Sequence, residues 1–301
     1  MHTIYSIAGL AAVAALIYGV SDCDWRNVKI PPVLIIIILG LTARYTLASV
    51  SPGYENDINC FKSWADRLYA NGFSNIYFLW SDVDYPPGYM YVLYVLGALH
   101  KTFGLSGPAF GLLVKTPPIL CDIITSCIIY RLASKKFNKL PAFFISLAYA
   151  LNPAIIMDSV IWGQVDSVHT ALLFASILAL SEKRRLPGYI YMALAVLVKP
   201  QSLALAPIFI YDAAVYVLSP RAVSAMKRFG SVCLSICIAG FIMILLALPF
   251  ARGFDLLPIA ERYQKTLLAY PYATVNAYNL YAYFGLNWKP VSAVILPGFP
   301  N

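Results

Sequence analysis

SPGYENDINCFKSWADRLYANGFSNIYFLWSDVDYPPGYM, residues 51 to 90, is a polar insertion between the second and third hydrophobic spans of this chain. Asp57, Asp66, Asp82 and Asp84 sit in it among aromatics and two prolines, while the rest of the sequence is composed for lipid. Acidic groups are expensive near hydrocarbon, so a bilayer protein that keeps them at one membrane face usually does so for chemistry or transport.

Outward from this stretch, the composition fixes the class. The chain has 301 residues, of which 60% are hydrophobic and 12% charged, and its mean hydropathy is +0.71. A soluble domain carries about twice that charged share. The reading is an all-α polytopic membrane protein. The net charge of +8 does not indicate nucleic acid, because the bases lie in short loops between apolar runs, where they set orientation. Cys23, Cys60, Cys121, Cys127, Cys233 and Cys237 form no CxxC pair and mostly fall inside apolar runs. They imply neither a disulfide framework nor a zinc site, and no metal or cofactor is expected. Residues 3–20 read as a retained span rather than a cleaved signal peptide.

Candidate spans of about 20 apolar residues run over 3–20, 30–50, 109–133, 139–160, 163–181, 187–199, 201–218 and 228–250. Basic loops at 26–29, 131–139, 182–185 and 221–228 hold twelve of the 22 Lys and Arg. Placing these on the cytoplasmic side puts two segments on the opposite face, an extracytoplasmic loop at 51–108 and a second at 251–290. The apolar stretch 86–104 then reads as an interfacial helix started by Pro86 and Pro87, the alternative being a true crossing that breaks the charge rule. The whole, residues 1–301, reads as one transmembrane domain.

Asp57 and Trp64 lie seven residues apart, two helical turns, and so share a helix face. A carboxylate beside an indole suits a sugar, although Asp57 also fits a helix cap and Trp64 an interfacial anchor. Asp84 precedes Tyr85-Pro86-Pro87, a stiff turn. Asp158, Gln164, Asp166 and His169 bracket a break at Gly163 between two apolar runs. Lys199, followed by Pro200 and Gln201, stands at a helix break and suits an anionic headgroup or a snorkelling role. Arg262 and Lys265 add cations, and Asn276 and Asn279 sit among tyrosines at 270–281. Asp122 and Asp212 lie within apolar runs as bundle-interior polar groups.

Together, Asp57 with Trp64, Asp84-Tyr85-Pro86-Pro87, Trp162-Gly163-Gln164-Val165-Asp166, Lys199-Pro200-Gln201 and Val275-Asn276-Ala277-Tyr278-Asn279 resemble the GT-C class of integral-membrane glycosyltransferases. The likeness runs from about residue 45 to 288. It is nearest the second GPI-anchor mannosyltransferase family with its bacterial relatives, and the dolichyl-phosphate-glucose glucosyltransferases. The resemblance implies a GT-C-like helical bundle whose large first loop bears interfacial helices. It further implies inverting transfer of a hexose, mannose favoured, from a polyprenyl-phosphate-sugar to a glycan or glycolipid acceptor. Asp57 would be the catalytic base. Trp64, Asp84, Tyr85, Gln164, Asp166, His169, Gln201, Asn276 and Asn279 would bind substrate. Lys199, Arg262 and Lys265 would hold the donor phosphate.

The site would face away from the cytoplasm, in a bacterial plasma membrane or the endoplasmic reticulum. Class members carry further C-terminal spans that this chain lacks, which leaves three readings of the lipid site: incomplete, completed by a partner subunit that supplies those helices, or simply smaller. Two rivals stand beside this reading: a transporter or flippase of lipid-linked substrates, and a non-catalytic membrane subunit that binds a lipid-linked sugar.

Overall fold

The computed structural model describes residues 31–220, 224–253, 255–268, 271–275, 277 and 279–292, with side chains left undescribed at 265–268. The expected span at 3–20 and the first basic loop lie outside these residues. Ten α-helices longer than one turn are described: α1 (Pro32–Val50), α2 (Glu55–Asn71), α3 (Pro87–Phe103), α4 (Gly107–Ala133), α5 (Lys139–Ala150), α6 (Asp166–Ser181), α7 (Arg185–Val198), α8 (Ala206–Leu218), α9 (Ala225–Ala247) and α10 (Leu257–Leu268). Among the described residues there is no strand, only isolated β-bridges.

Among the described residues, five helical stretches are long and apolar enough to cross a membrane: Pro32–Val50, Gly107–Ala133, Lys139–Trp162, Pro200–Leu218 and Ala225–Phe250. The protein is therefore an all-α, multi-pass membrane protein. The expected spans at 163–181 and 187–199 come out as shorter apolar helices, 16 and 14 residues long. Their ends have local causes. Gly163 takes a left-handed φ of 89° after a π-helical turn at Met157–Trp162, and Lys199, forced into extended backbone by Pro200, stops α7. Pro87 occupies the first turn of α3, and Gly104 closes it in the left-handed conformation.

The chain forms two compact units. The first unit runs up to Tyr54 and resumes over Lys115–Ser167. Here α1 buries Ile36, Gly40, Arg44 and Ala48, a stripe repeating every four residues. Ile36 packs with Phe143, Leu147 and Ala150 of α5. Polar side chains run through this apolar packing. Arg44 Nε donates to Asp122 Oδ2 at 3.1 Å, with both side chains fully buried. A second guanidinium nitrogen of Arg44 donates to the Ala150 carbonyl. Ser159 Oγ donates to Asp122 Oδ2 at 2.7 Å, and Ser146 Oγ to the Ser126 carbonyl at 2.6 Å. Lys115, 1% exposed, donates to the Ser51 carbonyl at 2.7 Å.

The second unit holds Glu55–Val114 and the chain from Val168 onward. Ile58, Phe61, Trp64, Ala65 and Leu68 form the buried stripe of α2, and α3 faces it with Tyr89, Met90, Leu93, Leu96 and Gly97. A Cβ on Gly97 would strike the Ala65 carbonyl, so this position sets how closely α2 and α3 approach. Gly97→Ala should cost about 1–3 kcal/mol and lower the melting temperature of the detergent-purified protein by several degrees. A second core joins Leu180, Met192, Val196 and Phe209. Arg185 and Asp212 pair at 2.7 and 3.0 Å, and Arg228 donates to the carbonyls of Val217 and Ser219, each at 2.7 Å. These two arginines, read from sequence as loop charges, tie helix ends together.

Candidate functional site

The second unit gathers the outer-loop residues at the Tyr85-Pro86-Pro87 turn. Asp57 lies in the first turn of α2, where the helix dipole favours a carboxylate. Trp64, 3% exposed, anchors a cluster of rings: its centroid lies 5.8 Å from Phe61 and 5.7 Å from Tyr85, and Tyr89 lies 5.8 Å from Phe61. The Trp64 indole N–H does not serve Asp57. It donates to Asp82 Oδ2 at 3.2 Å, while one Arg67 nitrogen spans both Asp82 oxygens at 2.9 and 2.8 Å. Burial pushes the Asp82 carboxyl up, but hydrogen bonds from Arg67 and Trp64, with the Arg67 charge, outweigh it and hold it below the usual range.

The turn itself is fastened from two sides. Tyr77 donates its hydroxyl to the Tyr85 carbonyl at 2.7 Å. Gly88 packs onto the end of α7 so closely that a Cβ there would come within 2.6 Å of the Leu197 carbonyl oxygen. This contact carries Asp84 and Tyr85 to Lys199, whose Nζ lies 5.5 Å from the centre of the Tyr85 ring. Asp84 keeps an exposed edge, yet burial first, and then the neighbouring Asp57 and Asp82 charges, raise its carboxyl above the ordinary value. A backbone hydrogen bond and Lys199 oppose that rise. Burial, with the charges of Asp57, Asp84 and Asp82, likewise pushes the Cys60 thiol up.

The Asp84 shift has a consequence for stability. A carboxyl raised in the folded state binds its proton more readily there than in the unfolded chain. Its stabilising share is complete below the unfolded value and is lost as pH climbs through the raised folded value. Asp84→Asn should therefore melt higher than wild type at neutral pH, and the difference should vanish in acid. Parallel thermal melts across pH check this.

Other expected site residues are placed differently. Gln164 and Asp166 belong to the first unit. The backbone N–H groups of Gly163 and Gln164 both donate to the Asp158 carbonyl, at 2.9 and 3.0 Å, and Asp166 opens α6. His169 lies one turn further along α6, within the second unit. Gln201 is exposed on the 3-10 turn Pro200–Leu205.

Arg262, 7% exposed, sends its guanidinium into a backbone pocket. It donates to the carbonyls of Tyr77 at 2.7 Å, Ser81 at 3.0 Å and Trp80 at 3.3 Å. It closes the segment that leads into the Asp82 and Asp84 turn, and so acts as a positioning residue. Asn279 caps the short helix Leu280–Tyr283 through Ala282 N–H at 3.0 Å and donates to Thr274 Oγ1 at 3.0 Å. Asn276 and the Lys265 side chain lie outside the described residues. Among the described residues, no group of three or more His, Cys, Asp or Glu is gathered to hold a metal.

Sequence reasoning did not single out Arg44, Lys115 or Arg67. For Arg44 the signal was available: it is the only charged residue of a mostly apolar span, and an isolated charge inside a membrane segment calls for a partner.

No curated protein matches the chain. The family model of GPI transamidase subunit PIG-U matches residues 25–261. This match overturns the resemblance to GT-C mannosyltransferases and glucosyltransferases. Hexose transfer from a polyprenyl-phosphate-sugar, Asp57 as catalytic base, and a sugar donor and acceptor go with it. The physical reason lies in the residue types. Aspartates, rings and a lysine at a helix break serve any face that receives a polar headgroup, and they do not distinguish holding it from reacting with it. The chain belongs to the PIG-U family of GPI transamidase subunits.

Proposed function

We propose that this chain is a non-catalytic membrane subunit of a GPI transamidase of the endoplasmic reticulum, and that it holds the lipid-linked glycan for partner subunits that carry out the transfer. The family match over residues 25–261 carries this reading. The cluster at the Tyr85-Pro86-Pro87 turn supports it. Lys199 offers a cation for a phosphate, Asp57 and Asp84 offer acceptors for hydroxyls or an amine, and Tyr85 offers a ring face. In this reading Asp57 and Asp84 are ligand contacts.

The basic loops face the cytoplasm, and segments 51–108 and 251–290 face the lumen. At 17 residues, α3 is about 25 Å long, shorter than the hydrocarbon core, and it lies in the luminal interface.

Complementation tests the reading. Cells lacking their own subunit of this family receive the wild-type chain or its Lys199→Glu variant, and surface display of a GPI-anchored reporter is measured beside co-purification of the complex. Wild type should restore display. The variant should enter the complex yet display little reporter. A wild-type chain that neither joins the complex nor restores display would sink the proposal.

A further inference from the structure

One edge of α2 carries Asp57, Cys60, Trp64 and Arg67 at helical spacing, and the segment that follows α2 folds back along it. Contacts fix its course. Arg67 Nη1 lies between the two Asp82 oxygens at 2.9 and 2.8 Å, and the same guanidinium stands 5.3 Å from the centre of the Trp80 ring. One turn nearer the start of α2, Trp64 donates to Asp82 and packs on Tyr85. Nearer still, Cys60 lies within the fields of Asp57, Asp84 and Asp82.

Arg262 secures the upstream half of this segment through the carbonyls of Tyr77, Trp80 and Ser81. Arg67 takes hold where that grip ends, at the point from which the chain turns toward Asp84. It stands ten residues beyond Asp57 on α2, about 15 Å along the axis, so it acts on the acidic end of the helix through the segment it holds. The ion pair is partly exposed, at 29% for Arg67 and 50% for Asp82. Such a pair adds little to stability. What it supplies here is direction, because a charge and a ring of one short segment are both tied to one guanidinium.

We propose that Arg67 is a positioning residue: by holding Asp82 and Trp80 it sets where the turn at Asp84 and Tyr85 lies along α2, and so the spacing of Asp57 and Asp84. That those two acids meet a glycolipid headgroup rests on the proposed function; the holding does not.

Cys60 reports the turn without any glycan. Burial, then the charges of Asp57, Asp84 and Asp82, push its thiol up, and the Arg67 charge opposes them. The two consequences of losing Arg67 therefore have opposite signs. Loss of its charge with the turn in place pushes the thiol further up and slows alkylation at neutral pH. Departure of the turn removes burial and two carboxylates, brings the thiol down and speeds alkylation.

The full-length purified chain in nanodiscs is treated with N-ethylmaleimide for timed intervals at several pH values, and each cysteine is followed by peptide mass spectrometry. Arg67→Met should speed Cys60 about threefold or more at neutral pH, with Cys233 and Cys237 of α9 unchanged. One nitrogen between two oxygens is a geometry that an ammonium can copy, so Arg67→Lys should return Cys60 to within about twofold of wild type. In the affinity-purified complex, Arg67→Met and Asp82→Asn should each lower retention of radiolabelled GPI precursor about tenfold, and the double variant should be no worse than the weaker single one.

Cys60 slowed or left unchanged by Arg67→Met marks a neighbouring charge only and overturns the proposal. Acceleration of Cys60, Cys233 and Cys237 together is a loosening of the whole unit and overturns it too, as does an acceleration that Arg67→Lys fails to reverse. A double variant weaker than either single one overturns Asp82 as the residue through which Arg67 acts. Acceleration confined to Cys60 with precursor retention unchanged keeps Arg67 as the holder of the turn and overturns the use of that turn for a headgroup.

Discussion

Replacing Asp122 by alanine will cost the first unit about 3–5 kcal/mol, the range for breaking a buried ion pair by removing one partner. Arg44 and Asp122 are both fully buried, so the truncation strands a guanidinium between apolar helices. A fold is stable by only about 5–15 kcal/mol in total, and the variant should aggregate or fail to accumulate. The pair links three spans, since Arg44 also donates to the Ala150 carbonyl and Asp122 also accepts from Ser159. Its satisfaction is nonetheless incomplete, because Arg44 Nη2 and Asp122 Oδ1 find no hydrogen-bond partner among the described residues. Removing both charges should therefore cost much less than removing one. Arg44→Met with Asp122→Leu should recover most of the monodisperse protein that Asp122→Ala loses, as read by size exclusion after stepwise heating. Equal losses in the single and double variants would show that the pair is no lock.

Lys199→Glu should weaken retention of an anionic glycolipid by about ten- to a hundredfold. A hydrogen bond to a charged group is worth about 1.5–3 kcal/mol, and the new carboxylate repels both phosphate and the neighbouring Asp84. The side chain is half-buried at the end of α7 and is followed by Pro200, which already fixes the backbone there. The substitution should therefore leave folding nearly intact. That separation makes it informative: reporter display should fall while the amount of assembled complex holds. Asp84→Asn should weaken retention less, since its amide still offers an acceptor, and it should raise thermal stability at neutral pH.

Much of the architecture was legible because the backbone obeys local rules. Pro86 and Pro87 mark the start of α3, Pro200 the end of α7, and the apolar runs mark the five long spans. Pairings across the fold were not legible. Asp57 and Trp64 do stand two turns apart on one helix, but spacing could not say that the indole would turn to Asp82, 18 residues away. Arg262 looked like a phosphate ligand because it lies in a polar loop, whereas its guanidinium is spent on three carbonyls of segment 77–81. Arg44 and Asp122 are 78 residues apart; Asp122 alone read as a bundle-interior polar group, and Arg44 was not singled out. The chemistry was misread for a related reason. A headgroup site and a transferase site draw on the same side chains, and the short motifs held no feature that only a transferase needs.

The central claim is that the chain holds a lipid-linked glycan without acting on it. The most direct measurement incubates the affinity-purified complex with radiolabelled GPI precursor and captures it on this chain. The account predicts that precursor is retained unchanged by wild type and lost with Lys199→Glu, although the complex stays assembled. Equal retention by both, or label recovered as a glycan altered by this subunit alone, would contradict it.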